Sequence, residues 1–175
     1  MKRLARTVVL SAVAFLTAGL RLAPAQDTAL LDRLKLRMEG SMIHFTEGGR
    51  KHDVSIEGQF DAARIDSVKV LSAQEGKGAV YLLLDVTGPS KLPRDKEKCG
   101  DTNESGLIWL KLDQDWQLMT GTGFPYSSCL YPITMVSAPK WDGSVLTART
   151  NSQVATYDNA NPGAGLKIAA TSAAK

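Results

Sequence analysis

The sequence is poor in the side chains that most often carry catalysis or hold metals. Its 175 residues include only two histidines and two cysteines, and the cysteines lie far outside Cys-x-x-Cys spacing. It has neither a Gly-x-Ser-x-Gly elbow nor a glycine motif for nucleotide phosphates. These absences exclude the commonest redox, serine-hydrolase and dinucleotide sites. We therefore expect no cofactor and favour a non-enzymatic role, while the enzyme class stays open.

The two histidines also fail to make a shared metal site. They lie in a predicted hairpin with a two-residue Gly-Gly turn at 48–49. That turn places His44 opposite Asp53 and His52 opposite Phe45, so the two imidazoles point to opposite faces of the sheet. We interpret His44 and Asp53 as a polar cross-strand pair on a solvated face, and we expect no metal site.

The sequence has no apolar run long enough to cross a membrane, but it begins with an export pattern. Lys2, Arg3 and Arg6 precede an apolar run at 8–20, and Ala-Pro-Ala at 23–25 fits a signal-peptidase site. Residues 1–25 are therefore predicted to be a cleaved signal peptide. The mature protein is expected to be secreted or periplasmic, with no transmembrane segment.

An excess of positive charge is also missing once the signal is removed. The whole chain has a formal charge of +3, with 21 basic and 18 acidic residues. Four of the basic residues lie in the predicted signal, which leaves 17 against 18 and a net charge of −1. A near-neutral surface gives no general attraction for nucleic acid, so we expect no nucleic-acid partner.

What the sequence does contain is a series of short strand patterns separated by turn residues. This spacing predicts a mainly β fold, an antiparallel meander closed as a sandwich or barrel, with one short N-terminal helix or turn. Residues 26–170 are predicted to form one domain, and residues 171–175 a disordered tail. Continuous apolar runs at 79–87 and 107–113 predict strands buried on both faces. The predicted strands are 42–47, 51–60, 64–72, 79–87, 107–113, 116–122, 130–137, 144–150, 154–157 and 166–169.

Residues 88–106 form a long polar stretch that we interpret as a loop. In an exported chain the two cysteines predict a Cys99–Cys129 disulfide, which would brace this loop against the sheet. Asp101, Asn103 and Glu104 offer oxygen atoms of the kind that bind calcium, although their spacing matches no complete calcium loop. Glu104 could instead accept hydrogen bonds from backbone amides where the next strand begins.

Aromatic residues are few but concentrated in the second half of the chain. Trp109 lies in an apolar strand and is predicted to be core, and Trp116 is predicted to open the strand 116–122. Tyr126, Tyr131 and Trp141 are expected to be exposed and to form a binding surface with Asp101, Asn103 and Glu104.

The function predicted from these features is that of an exported or envelope-associated β domain that binds a partner. The partner is a protein or a carbohydrate of unknown identity, and the loop 88–106 is the expected contact. Two alternatives stay open: an inhibitor of an extracellular hydrolase that presents this loop, and a carboxylate-dependent hydrolase.

Overall fold

A computed structural model of the chain describes residues 28–91 and 103–171. The described chain is mainly β, as predicted. The elements are α1 (Thr28–Arg33), β1 (Leu34–Glu39), β2 (Met42–Glu47), β3 (Arg50–Ser55), β4 (Ser67–Gly76), β5 (Ala79–Pro89), β6 (Asn103–Leu112), β7 (Leu118–Ser127), β8 (Met135–Asp142), β9 (Val145–Thr150), β10 (Gln153–Asp158) and β11 (Lys167–Ala170).

The only helical segments in the described ranges are α1 and a 3₁₀ turn at Pro162–Ala164. The six residues of α1 confirm the short N-terminal helix. None of the helices in residues 28–91 and 103–171 has the length and apolar character needed to cross a membrane.

The strands form three antiparallel sheets, each made of strands that follow one another in the sequence. The first sheet has the order β1-β2-β3, the central sheet β4-β5-β6-β7, and the third sheet β11-β10-β9-β8. This confirms the meander. None of these sheets closes on itself within the described ranges, so the layered alternative, and not the closed one, describes the protein.

The central sheet is buried on both faces. On β5, Leu82 and Leu84 belong to one core cluster with Phe45 of the first sheet. The intervening Leu83 belongs to a second cluster with Tyr157 of the third sheet. Successive side chains of a strand point to opposite faces. The continuous apolar run at 79–87 therefore supplies both cores, as its pattern predicted.

The hairpin of β2 and β3 has the predicted register. Gly48 and Gly49 adopt φ angles of +57° and +86°, which suits the two-residue turn. His44 pairs with Asp53 and Phe45 with His52. The two imidazoles therefore lie on opposite faces of this sheet, with Nδ1 of His44 2.6 Å from Oδ1 of Asp53.

The prediction for Trp116 is wrong, because it lies in the turn before β7 and does not open a strand. Its φ of +63° is unusual for a large side chain, and it is 4% exposed. Its ring stacks on His52 with a centroid distance of 4.6 Å and lies 5.3 Å from Phe45. The apolar pattern is satisfied by burial in the first core and not by strand pairing.

The predicted strand at 130–137 begins later than expected, at Met135. The preceding residues form a compact turn instead. The amide of Ser128 donates to the carbonyl of Ile133, and the amide of Tyr131 donates to the Ser128 hydroxyl. This turn, residues 128–134, carries Tyr131 to the surface.

The predicted bounds of the loop 88–106 are wrong at both ends. β5 continues to Pro89, and β6 begins at Asn103, with Gly88 paired to Glu104 and Pro89 paired to Asn103. Glycine, proline and charged residues at these ends do not resemble a strand pattern. The strand pairing joins residues on the two sides of the segment 92–102, which the sequence pattern does not reveal. Between these ends, residues 92–102 lie outside the described ranges.

Several predictions concern residues outside the described ranges. They are the signal peptide at 1–25, the tail beyond residue 171, and the sites of Cys99 and Asp101. The Cys99–Cys129 disulfide therefore stays a prediction.

Candidate functional site

A connecting segment crosses one end of the central sheet. Residues 56–66 join β3 to β4, and we call them the strap. The amide of Ala63 donates to the carbonyl of Pro89 at 2.9 Å. A side chain at Gly88 or Gly123 would collide with backbone carbonyls of the strap, the one at Gly123 with that of Gln59. Glycine at these two strand positions therefore lets the strap lie directly on the sheet.

A cleft of about 340 Å³ opens between the strap and the end of the central sheet. This volume lies at the lower end of the range for small-molecule sites. Its walls come from the strap, the end of β5, strands β6 and β7, and the turn 128–134. The lining residues are Gly58, Gln59, Phe60, Asp61, Lys91, Glu104, Pro125, Ser128 and Tyr131.

Asp61 of the strap connects two walls of the cleft. Nζ of Lys91 lies 2.6 Å from its Oδ1, and the hydroxyl of Tyr131 donates to its Oδ2 at 3.1 Å. The hydrogen bond from Lys91 lowers the pKa of Asp61, and the same bond raises the pKa of Lys91. The hydrogen bond to Asp61 likewise raises the pKa of Tyr131. At neutral pH the three groups are thus held as a carboxylate, an ammonium and a neutral phenol.

Glu104 forms the floor of the cleft and is 4% exposed. Its Oε1 accepts hydrogen bonds from the amides of Cys129 and Leu130, at 3.1 and 3.3 Å. A buried carboxylate needs such donors, because an unpaired charge away from water is costly. Glu104 does accept from backbone amides, but these amides follow β7 and do not lie where the next strand begins, so the predicted place of this cap is wrong. Glu104 therefore fixes the turn that carries Tyr131.

The expected exposure of Tyr126 is wrong. Its side chain is 8% exposed and belongs to the second core, on the face of the central sheet away from the cleft. Its hydroxyl donates to Oδ1 of Asp85 at 2.7 Å. Burial, with a smaller effect of this hydrogen bond, raises the pKa of Tyr126. The residue satisfies a buried polar pair and does not present a ring to a ligand.

The remaining predicted binding residues are also apart from the cleft. Trp141 is half-buried in the third sheet, with its ring edge-to-face against Tyr157 at 6.2 Å. Asn103 is exposed at the start of β6 and does not line the cleft. Of the six binding residues predicted from the sequence, the structure brings Glu104 and Tyr131 together, and Asp101 lies outside the described residues.

Sequence reasoning missed Asp61 and Lys91. Lys91 belongs to a run in which positive and negative charges cancel, and Asp61 follows no recognisable pattern. The available signal is a glycine just after each of two predicted strands, at 88 and 123. Such a glycine can indicate that another backbone approaches closely, and at both positions that backbone is the strap.

The cleft offers hydrogen-bond donors and acceptors next to apolar surface. Lys91 donates, the carboxylates of Asp61 and Glu104 accept, and Phe60, Pro125 and the ring of Tyr131 supply apolar contact area. In residues 28–91 and 103–171, no three His, Cys, Asp or Glu side chains are grouped so as to hold a metal ion. The arrangement suits recognition of a small polar ligand.

The chain matches no family model, no curated protein and no solved structure. Its function is therefore inferred from the geometry and chemistry of its own residues. The cleft brings together a carboxylate, an ammonium group and an exposed aromatic ring.

Proposed function

We propose that the chain is an exported, non-enzymatic binding domain whose ligand occupies the cleft. The observation that carries the proposal is the position of Lys91 and Glu104. Both line one cleft together with Tyr131, so a positive and a negative group border the same exposed ring.

The ligand class that fits the cleft best is a neutral saccharide. The ring of Tyr131 is 51% exposed and Phe60 lies in the same cleft, so both can pack on the C–H face of a sugar. Sugar hydroxyls both donate and accept hydrogen bonds. Asp61 and Lys91 supply an acceptor and a donor 2.6 Å apart, which suits a pair of adjacent hydroxyls.

A carboxylate-dependent hydrolase is the second candidate, because Asp61 and Glu104 line the same cleft. Glycoside hydrolysis commonly requires one carboxyl that retains its proton at the working pH. The hydrogen bond from Lys91 lowers the pKa of Asp61, so Glu104 would have to donate the proton. Oε1 of Glu104 already accepts hydrogen bonds from two backbone amides and holds the turn 128–134, which favours binding over hydrolysis. The inhibitor alternative depends on residues 92–102, which lie outside the described ranges.

The test is to titrate a panel of di- and trisaccharides of hexose and N-acetylhexosamine into the mature protein. Calorimetry and the shifts of amide NMR signals measure the binding of each saccharide. Tyr131→Ala removes the ring, and we expect it to weaken binding of the best saccharide by about tenfold, from loss of stacking area. Tyr131→Phe keeps the ring and removes only the hydroxyl, so most of the affinity is retained. Met119→Ala, at a 57% exposed apolar residue outside the cleft, is the matched control and leaves affinity unchanged.

Two outcomes would contradict the proposal. If no saccharide gives saturable shifts at the cleft residues, the ligand class is wrong. If Tyr131→Ala binds as the unmodified protein does, the cleft is not the site. Cleavage of a panel saccharide that Glu104→Gln abolishes would establish the hydrolase instead.

A further inference from the structure

The outer face of the first sheet carries a second group of polar side chains, away from the cleft. Residues of β1, β2 and β3 alternate between the first core and solvent. The side chains on the solvent side surround a shallow pocket of about 250 Å³. Its lining residues are Lys35, Arg37, Glu39, His44, Thr46, Lys51 and Asp53 of this face, together with Leu36, whose side chain packs on the first core.

The pairing register of β1, β2 and β3 places these side chains in rows that run across the three strands. Thr46 of the middle strand pairs with Lys35 on one side and with Lys51 on the other. Adjacent strands are about 4.8 Å apart, so two lysine side chains can reach a single small group above the threonine hydroxyl. In the next row His44 pairs with Arg37. Three cations therefore border one hydroxyl and one imidazole.

The carboxylates of this face are engaged by the histidine and not by the cations. Asp53 Oδ1 lies 2.6 Å from Nδ1 of His44, and Glu39 Oε2 lies 3.8 Å from Nε2. Within the described part of the chain, the ion pairs do not include Lys35, Arg37 or Lys51. Lys35 and Lys51 flank Thr46 from the two outer strands, so a bound anion could accept a charge-assisted hydrogen bond from each.

We propose that this face binds a tetrahedral oxyanion, a phosphate or sulfate group. The planar guanidinium of Arg37 can donate two parallel hydrogen bonds to such a group, and each lysine can contribute a charge-assisted one. The Thr46 hydroxyl offers a neutral donor between the two lysines. Nε2 of His44 borders the same pocket, makes no hydrogen bond to a described residue and can donate one to an anion when the ring is protonated. This site is independent of the saccharide proposal, because it shares no residue with the cleft.

The test is to titrate inorganic phosphate, sulfate and acetate, at constant ionic strength, into the mature protein and follow amide NMR shifts. We expect saturable shifts confined to β1–β3 with phosphate and sulfate, and none with acetate. Each of Lys35→Gln, Arg37→Gln and Lys51→Gln should weaken phosphate binding about two- to fivefold, as expected for exposed charges, and the triple variant should abolish it.

The matched control carries Lys69→Gln, Lys140→Gln and Lys167→Gln, which remove the same net charge at exposed positions on the other two sheets. It should bind phosphate as the unmodified protein does. If both triple variants bind phosphate equally weakly, or if acetate gives the same NMR shifts as phosphate, the effect is general charge screening and the proposal is overturned. Shifts that do not saturate would overturn it too.

A further experiment distinguishes two kinds of ligand that both carry a phosphate group. Glycerol phosphate represents a soluble phosphate ester, and vesicles of phosphatidylglycerol in phosphatidylcholine represent a lipid headgroup. Saturable shifts with glycerol phosphate but no sedimentation with the vesicles would identify a soluble ligand. Sedimentation that the β1–β3 triple variant loses, and the control keeps, would identify the headgroup.

Discussion

The middle and the end of the central sheet are built from the same strands and have opposite characters. At the middle, Leu84 pairs with Ile108, both are fully buried, and the first and third sheets cover the two faces. At the end, Gly88 pairs with Glu104, and a single connecting segment lies on that face. Glycine and a carboxylate stand at the end where large apolar residues stand at the middle. The backbone of the strap can therefore approach the sheet closely, and space for a cleft remains beside it.

Stability and the proposed ligand binding thus lie at different places along one pair of strands. The middle gains free energy from removing apolar area from water, at roughly 25 cal/mol per Å². The end gains little from burial and instead holds charged groups in fixed positions, with Asp61 joined to Lys91 and Tyr131. Variants along the strands should therefore lose stability in the middle and binding at the end.

The largest loss of stability is expected from Leu84→Ala at the middle. The side chain is fully buried between two layers, so its truncation should lower the free energy of unfolding by about 2–5 kcal/mol. Denaturation by urea would measure this, with Val136→Ala, at a 66% exposed side chain, as a near-neutral control. A cost similar to that of the control would mean that the layer over Leu84 is not packed as described.

An intermediate loss is expected from Gly123→Ala at the end. The added methyl group would collide with the carbonyl of Gln59, so the strap must shift, at a cost of about 1–3 kcal/mol. Gly76→Ala is the matched control, because nothing lies within 4 Å of its added carbon. Gly123→Ala should also weaken saccharide binding, which Leu84→Ala does not do while the protein stays folded. If both glycine variants are equally stable, the strap does not press on the sheet.

The smallest effect on stability, and the most specific in pH, is expected from Asp61→Asn. The lowered pKa of Asp61 means that its stabilising effect is present above the ordinary pKa of 3.8 and is lost as pH falls through the folded-state pKa. The raised pKa of Lys91 means that its effect is present below 10.5 and is lost as pH rises through the folded-state pKa. The difference in unfolding free energy between the two proteins should be small and constant from pH 5 to 9, and it should vanish in acid. A difference that persists with Asp61 protonated would contradict the ion pair.

The hairpin of β2 and β3 illustrates what could be predicted from the sequence. Its register follows from two requirements, that Ile43 and Phe45 be buried and that the Gly-Gly turn have two residues. Both requirements are local, since the strands are adjacent in the chain. The same reasoning correctly predicted burial of both faces for 79–87 and a core position for Trp109, which is 6% exposed.

The cleft could be predicted only in part, because its walls are distant in the sequence. The chemistry of Glu104 and Tyr131 marks them as candidates, but their place in one cleft with Asp61 and Lys91 depends on where the strap crosses the sheet. Tyr126 is expected to be exposed because aromatic residues cluster in this part of the sequence. Its position on β7 instead directs the side chain toward the second core, where Asp85 accepts its hydrogen bond.

The residue pattern alone predicts the mainly β meander, the hairpin register and the strands with two buried faces. These features depend on alternation and turn residues that lie within a few positions of each other, and not on distant contacts. The tertiary structure adds the stacking of the sheets in layers, the position of the strap on Gly88 and Gly123, and the contacts of Asp61 with Lys91 and Tyr131. These contacts join residues far apart in the chain, and the packing of one layer on another sets them.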